Sequence, residues 1–474
     1  MVGYGADCRP EVARTNKAWK TYAPAVCAGL GILLLAGCAA ASMGLERGGP
    51  ADRVVVAAVL LALAGASVFL LRLEGCDRDA LLVMLLPIGA AFLIRALCLD
   101  YAGTDYTNFL SRWYLFFKEN GGFAAVAHAV GDYNVPYLYF MAFISYFPAP
   151  DLYLIKLFSI VFDVVLAWGC LRLVRSLTRE RQGGIAPLIA FGAALLLPTV
   201  VLNGSYWGQC DVIYGALAVH AVALLLEGKN KASVALMGLA FSFKLQAVFV
   251  LPLWGVLWLA RKVKFRELWV FPLTYLIVIV PAVLLGKPLS ETLMVYFNQM
   301  GEYPRLVLNA PSVFQFFPYD MSSAASDSSP LLSALSAAGV AAAAVLVLIL
   351  LWLGFRLGDR LDRKTCFAIA VVLAIGVPFL LPHMHERYFF LADVLTLCWA
   401  CSDVRRLPAA ALVEASSGLS YRLYLRLKFN WTFTLGGRYY VMVPETLIML
   451  AGLIFAVMTL IGCLRGRTVK EETV

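Results

Sequence analysis

Residues 331–355 read LLSALSAAGVAAAAVLVLILLWLGF without a charged side chain, and Arg356, Arg360, Arg363 and Lys364 follow directly. A helix crosses a bilayer with about 20 consecutive apolar residues, and cations just past its end mark the cytoplasmic side. Stretches of the same kind recur at 22–43, 54–71, 80–98, 153–175, 185–202, 211–227, 268–285, 365–382, 388–402 and 443–464. The run 232–260 is interrupted by Lys244, Gln246 and Pro252, so it reads as two short segments, a broken pair or a re-entrant hairpin. Residues 405–425 are only moderately apolar and add one more candidate. The expectation is an all-α, polytopic helical membrane protein of 11–14 spans, with residues 1–474 as a single integral membrane domain.

Composition agrees. Of 474 residues 61% are hydrophobic and 15% charged, with mean hydropathy +0.80. A soluble domain is about 45–50% apolar and about 25% charged, so a soluble enzyme, a disordered chain and a fibrous protein are excluded. The formal charge of +9 would suggest nucleic acid in a soluble protein. Here the cations sit in short loops between apolar runs, and no nucleic-acid partner is expected. The eleven cysteines are scattered. Cys398-Trp-Ala-Cys401 has no partner ligands nearby and reads as buried small hydrophobes. The stretch 22–43 follows Arg9, Arg14, Lys17 and Lys20 and is too long for a signal-peptide core, so it reads as a retained span.

The cations assign sides. Arg72 and Arg78, then Arg175, Arg179 and Arg181, then Lys229 and Lys231 fall in cytoplasmic loops. Arg261, Lys262, Lys264 and Arg266, the group after 355, Arg405 and Arg406, and the C-terminal Arg465, Arg467 and Lys470 fall on the same side. This leaves 99–152, 203–210, 286–330 and 383–387 outside. The two longest loops, 99–152 and 286–330, are thus both external, and loops of such length are usually functional or disordered. Within the first, 105–118 (DYTNFLSRWYLFFK) and 135–147 (VPYLYFMAFISYF) are aromatic-rich and suit short helices in the interface plane.

Five groups of residues on that side carry chemistry. Asp100, Asp105 and Asp132 lie in the first loop; a carboxylate there is either a helix cap or a general base at a wet pocket. Gly131-Asp-Tyr-Asn-Val-Pro-Tyr-Leu-Tyr139 is either a helix start with an interface belt or an aromatic lip over a lipid-facing groove, with Tyr133 and Tyr137 in it. Asn203-Gly-Ser-Tyr-Trp-Gly-Gln-Cys-Asp211 joins two spans; a turn accounts for its glycines but not for Trp207, Gln209 and Asp211 together. Lys244 and Gln246 stand in an apolar run, where an ionisable group is a functional candidate and snorkelling is the alternative. His383-Met-His385-Glu386-Arg387 concentrates four titratable residues; it suits a metal or, better, an anion gripped by Arg387 with histidine donors. Asp163 lies seven residues after Lys156 on one helix face, and a structural ion pair is the simplest reading.

Together these residues resemble the GT-C superfamily of polyprenyl-phosphate-sugar-dependent glycosyltransferases. The likeness runs over about residues 80–400 and is nearest to the dolichyl-phosphate-glucose glucosyltransferases and bacterial relatives of the second mannosyltransferase of GPI-anchor synthesis. Asp105-Tyr106, in GTDYTNF, stands where the family has its catalytic base. Asp132, in GDYNVPYLY, matches an Asp-Tyr-Pro-Pro-Leu element, with Asn134-Val135 in place of the first proline. Lys244 and Gln246 match a Phe-Lys-Gln element with Leu245 inserted. His383, His385 and Glu386 match His-x-His-Glu, with Arg387 where lysine is common. The resemblance implies a metal-independent, inverting enzyme without a cofactor. Asp105 and Asp132 would be catalytic. Lys244, Gln246, His383, His385 and Arg387 would hold the donor phosphate. Asp100, Tyr106, Tyr133, Tyr137, Trp207, Gln209, Asp211 and Glu386 would line the pocket.

The expected function is hexosyl transfer, glucosyl or mannosyl, from a polyprenyl-phosphate donor to a glycan, lipid or protein acceptor. It would take place at the extracytoplasmic face of the plasma membrane. The alternatives are a secondary transporter using Lys156, Asp163 and Lys244, another polyprenyl-lipid enzyme such as a ligase or polymerase, and a non-enzymatic scaffold or scramblase.

Overall fold

The computed structural model describes residues 9–128, 130–180, 183–299, 304–425 and 432–471, with side chains from 22 to 465. Arg181 and part of the loop 286–330 lie outside the described residues, as do the side chains of Arg9, Arg14, Lys17, Lys20, Arg467 and Lys470. The protein is an all-α polytopic membrane protein; among the described residues the only paired strands form a hairpin, Thr432–Leu435 with Arg438–Val441.

Among the described residues eight helices are long and apolar enough to span: Tyr22–Met43, Pro50–Leu73, Arg78–Cys98, Asp151–Thr178, Phe265–Leu284, Pro330–Arg360, Arg363–Leu380 and Val443–Arg465. A ninth is the pair Ile185–Leu196 and Pro198–Trp207, bent by 41°. The expected 11–14 counted segments that the fold builds as shorter helices, Asp211–Leu226 and Phe390–Ser402 among them. Every residue of Asp211–Leu226 is buried, so protein, not lipid, surrounds it and it does not need a full bilayer's length. Burial separates an inner set from a lipid-facing rim. Arg363–Leu380 is 83% buried, whereas Phe265–Leu284 and Pro330–Arg360 are 17% buried and present Leu276, Ile277, Leu348 and Trp352 outward. Where two spans must cross closely, small residues stand at the contact. A Cβ on Gly31 would lie 2.4 Å from the Leu85 backbone, and one on Gly89 2.5 Å from Gly31 O.

The bend at Pro198 follows from its chemistry. A residue before proline is pushed to extended backbone, and Leu197 has ψ 122°. The break strands the Leu195 carbonyl, which accepts from Arg95 Nη1 at 2.8 Å. It also frees the Thr199 N–H, which donates to Glu414 Oε1 at 2.9 Å. Arg95 Nε donates to Asp163 Oδ2 at 2.8 Å with both side chains fully buried. Asp163 therefore pairs with Arg95 and not with Lys156, contrary to the pairing read from helical spacing. Lys156 Nζ instead donates to the carbonyls of Cys98, Leu99 and Tyr101 at 2.8, 3.0 and 2.7 Å, where the end of Arg78–Cys98 leaves carbonyls without helical partners.

The loops sort into two groups. Arg179, Glu227, Asn230, Lys262, Asp359 and Arg363 line one cavity, and Arg175 pairs with Glu74. The Lys- and Arg-rich loops thus lie together at one end. Asp151–Thr178, whose 28 residues span about 42 Å, connects that end to the one where 99–150, 203–211, 304–329 and 383–389 meet. In the first loop, Ser111–Glu119 carries Trp113 and Tyr114, and Val135–Ile144 is capped by Asn134. The second helix is not an aromatic lip toward lipid: Tyr137, Leu138, Phe140 and Met141 are buried, and Tyr133 packs 4.6 Å from Tyr137 and edge-on to Trp113.

Candidate active site

Asp105 sits one residue ahead of a π-helical turn, Tyr106–Leu110, and its side chain caps nothing. The carboxylate turns to the 203–211 segment instead. Its Oδ2 accepts from Trp207 Nε1 at 3.1 Å and Gln209 Nε2 at 2.5 Å, and its Oδ1 accepts from the Tyr424 hydroxyl. The π-helix Val201–Trp207 ends at Gly208, φ 85°, a left-handed position that glycine takes without a Cβ penalty. That reversal lets Trp207 and Gln209 present both donors to one oxygen.

The same segment delivers Asp211, fully buried at the head of its helix. Asn203 Nδ2 donates to Asp211 Oδ2 at 2.8 Å, Lys244 Nζ lies 2.5 Å from Oδ1, and Arg387 Nε is 3.7 Å from Oδ2. One carboxylate therefore holds two cations that come from distant parts of the chain. Lys244 reaches it because the helix Asn230–Phe243 ends there, with Lys244 extended at φ −155°, ψ 133°. Arg387 is also 3.3 Å from Glu386 Oε1 and lies over the rings of Trp207 and Tyr388 at 5.4 and 5.8 Å. Its Nε is buried without a hydrogen-bond partner, as is Gln246 Oε1.

These groups face a cavity of about 310 Å³ lined by Asp105, Asp132, Tyr133, Gln209, Lys244, Gln246, His385, Arg387 and Tyr424. Burial pushes the Glu386 carboxyl up to about 7, with Arg387 opposing the shift. Burial works against charge on Arg387, but Asp211 and Glu386 more than offset it, and its affinity for the proton rises. Burial first, then Arg387 and Lys244, drives His385 well below the usual imidazole range, so the ring is neutral. Burial raises the Tyr133 hydroxyl. Around the buried Asp211 carboxylate the two cations Lys244 and Arg387 leave a local excess of one positive charge for an anion, while the Asp105 and Asp132 carboxylates stand elsewhere in the lining.

Not every expected residue reaches this cavity. Asp100 accepts from the Tyr153 hydroxyl at 2.5 Å and from Glu46 N at 3.2 Å, which ties down a neighbouring loop. Tyr106 turns its hydroxyl to Asp151 at 2.9 Å. Tyr137 is buried behind Tyr133. His383, at φ 63°, donates from Nδ1 to the Arg305 carbonyl at 2.7 Å, so only His385 of the pair faces the cavity and the two imidazoles do not converge on one ion. Among the described residues no three His, Cys, Asp or Glu side chains are grouped to hold a metal. Glu386 lies behind the wall, in a smaller cavity with Arg305 and Gln315. Tyr424 is the residue that sequence reading missed: it belongs to Leu407–Tyr424, far along the chain from Asp105, and nothing in its own neighbourhood marks it.

Residues 133–382 match the family model of glycosyltransferase family 87, slightly more than half of the chain. No curated protein matches the sequence.

Proposed function

The chain belongs to glycosyltransferase family 87, and on that premise we propose that it moves a hexose from a polyprenyl-phosphate donor to an acceptor hydroxyl, with Asp105 as general base and inversion at the anomeric carbon. As a membrane glycosyltransferase it needs a sugar donor, an acceptor and a lipid bilayer. The match supports the resemblance at the level of GT-C membrane glycosyltransferases, not of the glucosyltransferase or GPI-mannosyltransferase branches. The observation that carries the proposal is a single cavity with an oriented carboxylate, Asp105, and a cation pair, Lys244 and Arg387, both in its lining.

The acceptor O–H gives its proton to Asp105 as its oxygen bonds to the anomeric carbon. The bond from that carbon to the phosphate oxygen breaks, and the electron pair stays on the phosphate. A single displacement with one base inverts the centre. Charge grows on the leaving phosphate, where Lys244 and Arg387 stabilise it; preorganised charges of this kind are commonly the largest catalytic contribution. The Arg387 guanidinium, which lines the cavity beside Asp211, suits a phosphate oxygen, and Gln246 a sugar hydroxyl. In this reading Asp132, also in the lining, contacts the sugar. With the basic loops at the cytoplasmic side, this cavity opens at the extracytoplasmic face of the plasma membrane, where a lipid-linked donor replaces a nucleotide sugar.

Transfer from a polyprenyl-phosphate hexose in proteoliposomes tests the reading. Asp105→Asn and Asp105→Ala are expected to lose about 100-fold or more in kcat while donor binding persists. Full activity in both overturns Asp105 as base. Donor binding unchanged in Lys244→Ala and Arg387→Ala overturns the phosphate assignment.

A further inference from the structure

A second chamber of about 500 Å³ lies behind Asp105, lined by Tyr101, Thr104, Trp207, Asn309, Tyr319 and Tyr439, with Tyr424 between it and the first cavity. We propose that this chamber is the acceptor subsite and takes a neutral saccharide; the assignment rests on Asp105 being the base. Tyr424 lines both spaces. Its hydroxyl donates to Asp105 Oδ1 and lies 3.3 Å from Thr104 Oγ1. Its ring stacks on Trp207 at 4.5 Å, whose indole holds the other Asp105 oxygen. A hydroxyl entering from the aromatic side meets Oδ1 by taking the place of Tyr424, and from there it faces the space beside Lys244 and Arg387.

The lining selects the ligand. Among the described residues no lining side chain of this chamber carries a formal charge, whereas the first cavity holds two cations and two aspartates. Among those residues a phosphate or carboxylate that lost its hydration would find no counter-ion. Hydroxyl groups have Thr104, Asn309 and the tyrosine hydroxyls, and the apolar faces of a pyranose have aromatic rings. Tyr319 and Tyr439 are each 47% exposed and meet edge-to-face at 6.1 Å. They stand on a short helical turn, Tyr319–Ser322, and on the hairpin strand Arg438–Val441, neither of them a spanning helix, so their exposed rings are available to a solute. Pockets with a few convergent polar groups among aromatic walls are the usual form of a small-ligand site.

The test uses the full chain in lipid nanodiscs, with methyl α-D-mannopyranoside and methyl α-D-glucopyranoside as probes in saturation-transfer NMR. Wild type is expected to bind at least one of them saturably. Tyr439→Ala and Tyr319→Ala should weaken that binding about three- to tenfold, the size of an aromatic contact, and Tyr439→Phe, which keeps the ring, should retain it. Inorganic phosphate should not compete. The assignment is overturned if neither glycoside binds wild type, if binding is equal in the alanine variants, or if phosphate displaces the glycoside. The donor reading fails separately: polyprenyl-phosphate-hexose binding that survives Lys244→Ala and Arg387→Ala overturns it and leaves the glycoside result standing.

Discussion

Single side chains decide the chemistry by where their charge is held. Glu386 is buried against Arg387 with its carboxyl raised to about 7 from an ordinary 4.5. The fold therefore keeps a proton there that the unfolded chain has lost, so this group's contribution to stability is present below pH 4.5 and is lost as pH rises to about 7. On the proposed donor assignment, the ionised carboxylate also competes with the phosphate for Arg387. Donor KM is expected to rise as pH passes through about 7, and Glu386→Gln should flatten both the KM profile and the pH slope of thermal stability; an unchanged KM profile in the variant refutes the coupling. Gln209 acts through Asp105. Its amide donates to the carboxylate at 2.5 Å, and a hydrogen bond to a charged group contributes about 1.5–3 kcal/mol. Gln209→Ala should therefore lower kcat about 10- to 100-fold with donor KM little changed, and Gln209→Glu, which places a second carboxylate against Asp105, should be no better.

At the scale of elements, helix breaks deliver the site. The stranded Leu195 carbonyl and the Arg95–Asp163 pair stabilise the bend that carries 203–211 to Asp105. Removing one partner of a buried ion pair costs about 3–5 kcal/mol, so Arg95→Leu should lower the unfolding temperature sharply, measured by thermal unfolding in detergent. Lys156 holds three carbonyls on the chain leading to Asp105. Lys156→Met should reduce kcat about 100-fold, as a misplacement of about 1 Å does, while donor binding persists. Element positions were legible in the sequence because apolar runs announce spans: 80–98 became Arg78–Cys98 and 365–382 became Arg363–Leu380. The interruption at Lys244 was also visible, since a cation in an apolar run marks a break or a site. The partners were not visible. Helical spacing put Lys156 with Asp163, but the carbonyl trap and Arg95 belong to neighbouring helices, and packing between helices leaves no period in the sequence. Tyr424 was hidden for the same reason, in a segment that reads only as a weak span.

For the whole molecule, the placement of charge fixes what the enzyme can meet. Loops carrying Arg179, Lys262 and Arg363 gather around one cavity, and those carrying Asp105, Asp132 and His385 gather at the other end. Positive loops stay cytoplasmic because their translocation is disfavoured; the proposed function therefore puts the carboxylate end outside, where a donor would carry its energy in a lipid phosphate. This orientation is open to direct measurement. Ten described cysteines are free thiols, six of them buried, so single cysteines are best introduced on a cysteine-free background. Tyr439→Cys, on the exposed hairpin strand, should react with a membrane-impermeant maleimide in intact cells. Arg405→Cys, on an exposed side chain among the basic loops, should react only after permeabilisation. The reverse pattern would put Asp105 and the Lys244–Arg387 pair in contact with cytoplasmic nucleotide sugars. The polyprenyl-phosphate donor would then lose its physical basis, even though the same side chains would still line one cavity.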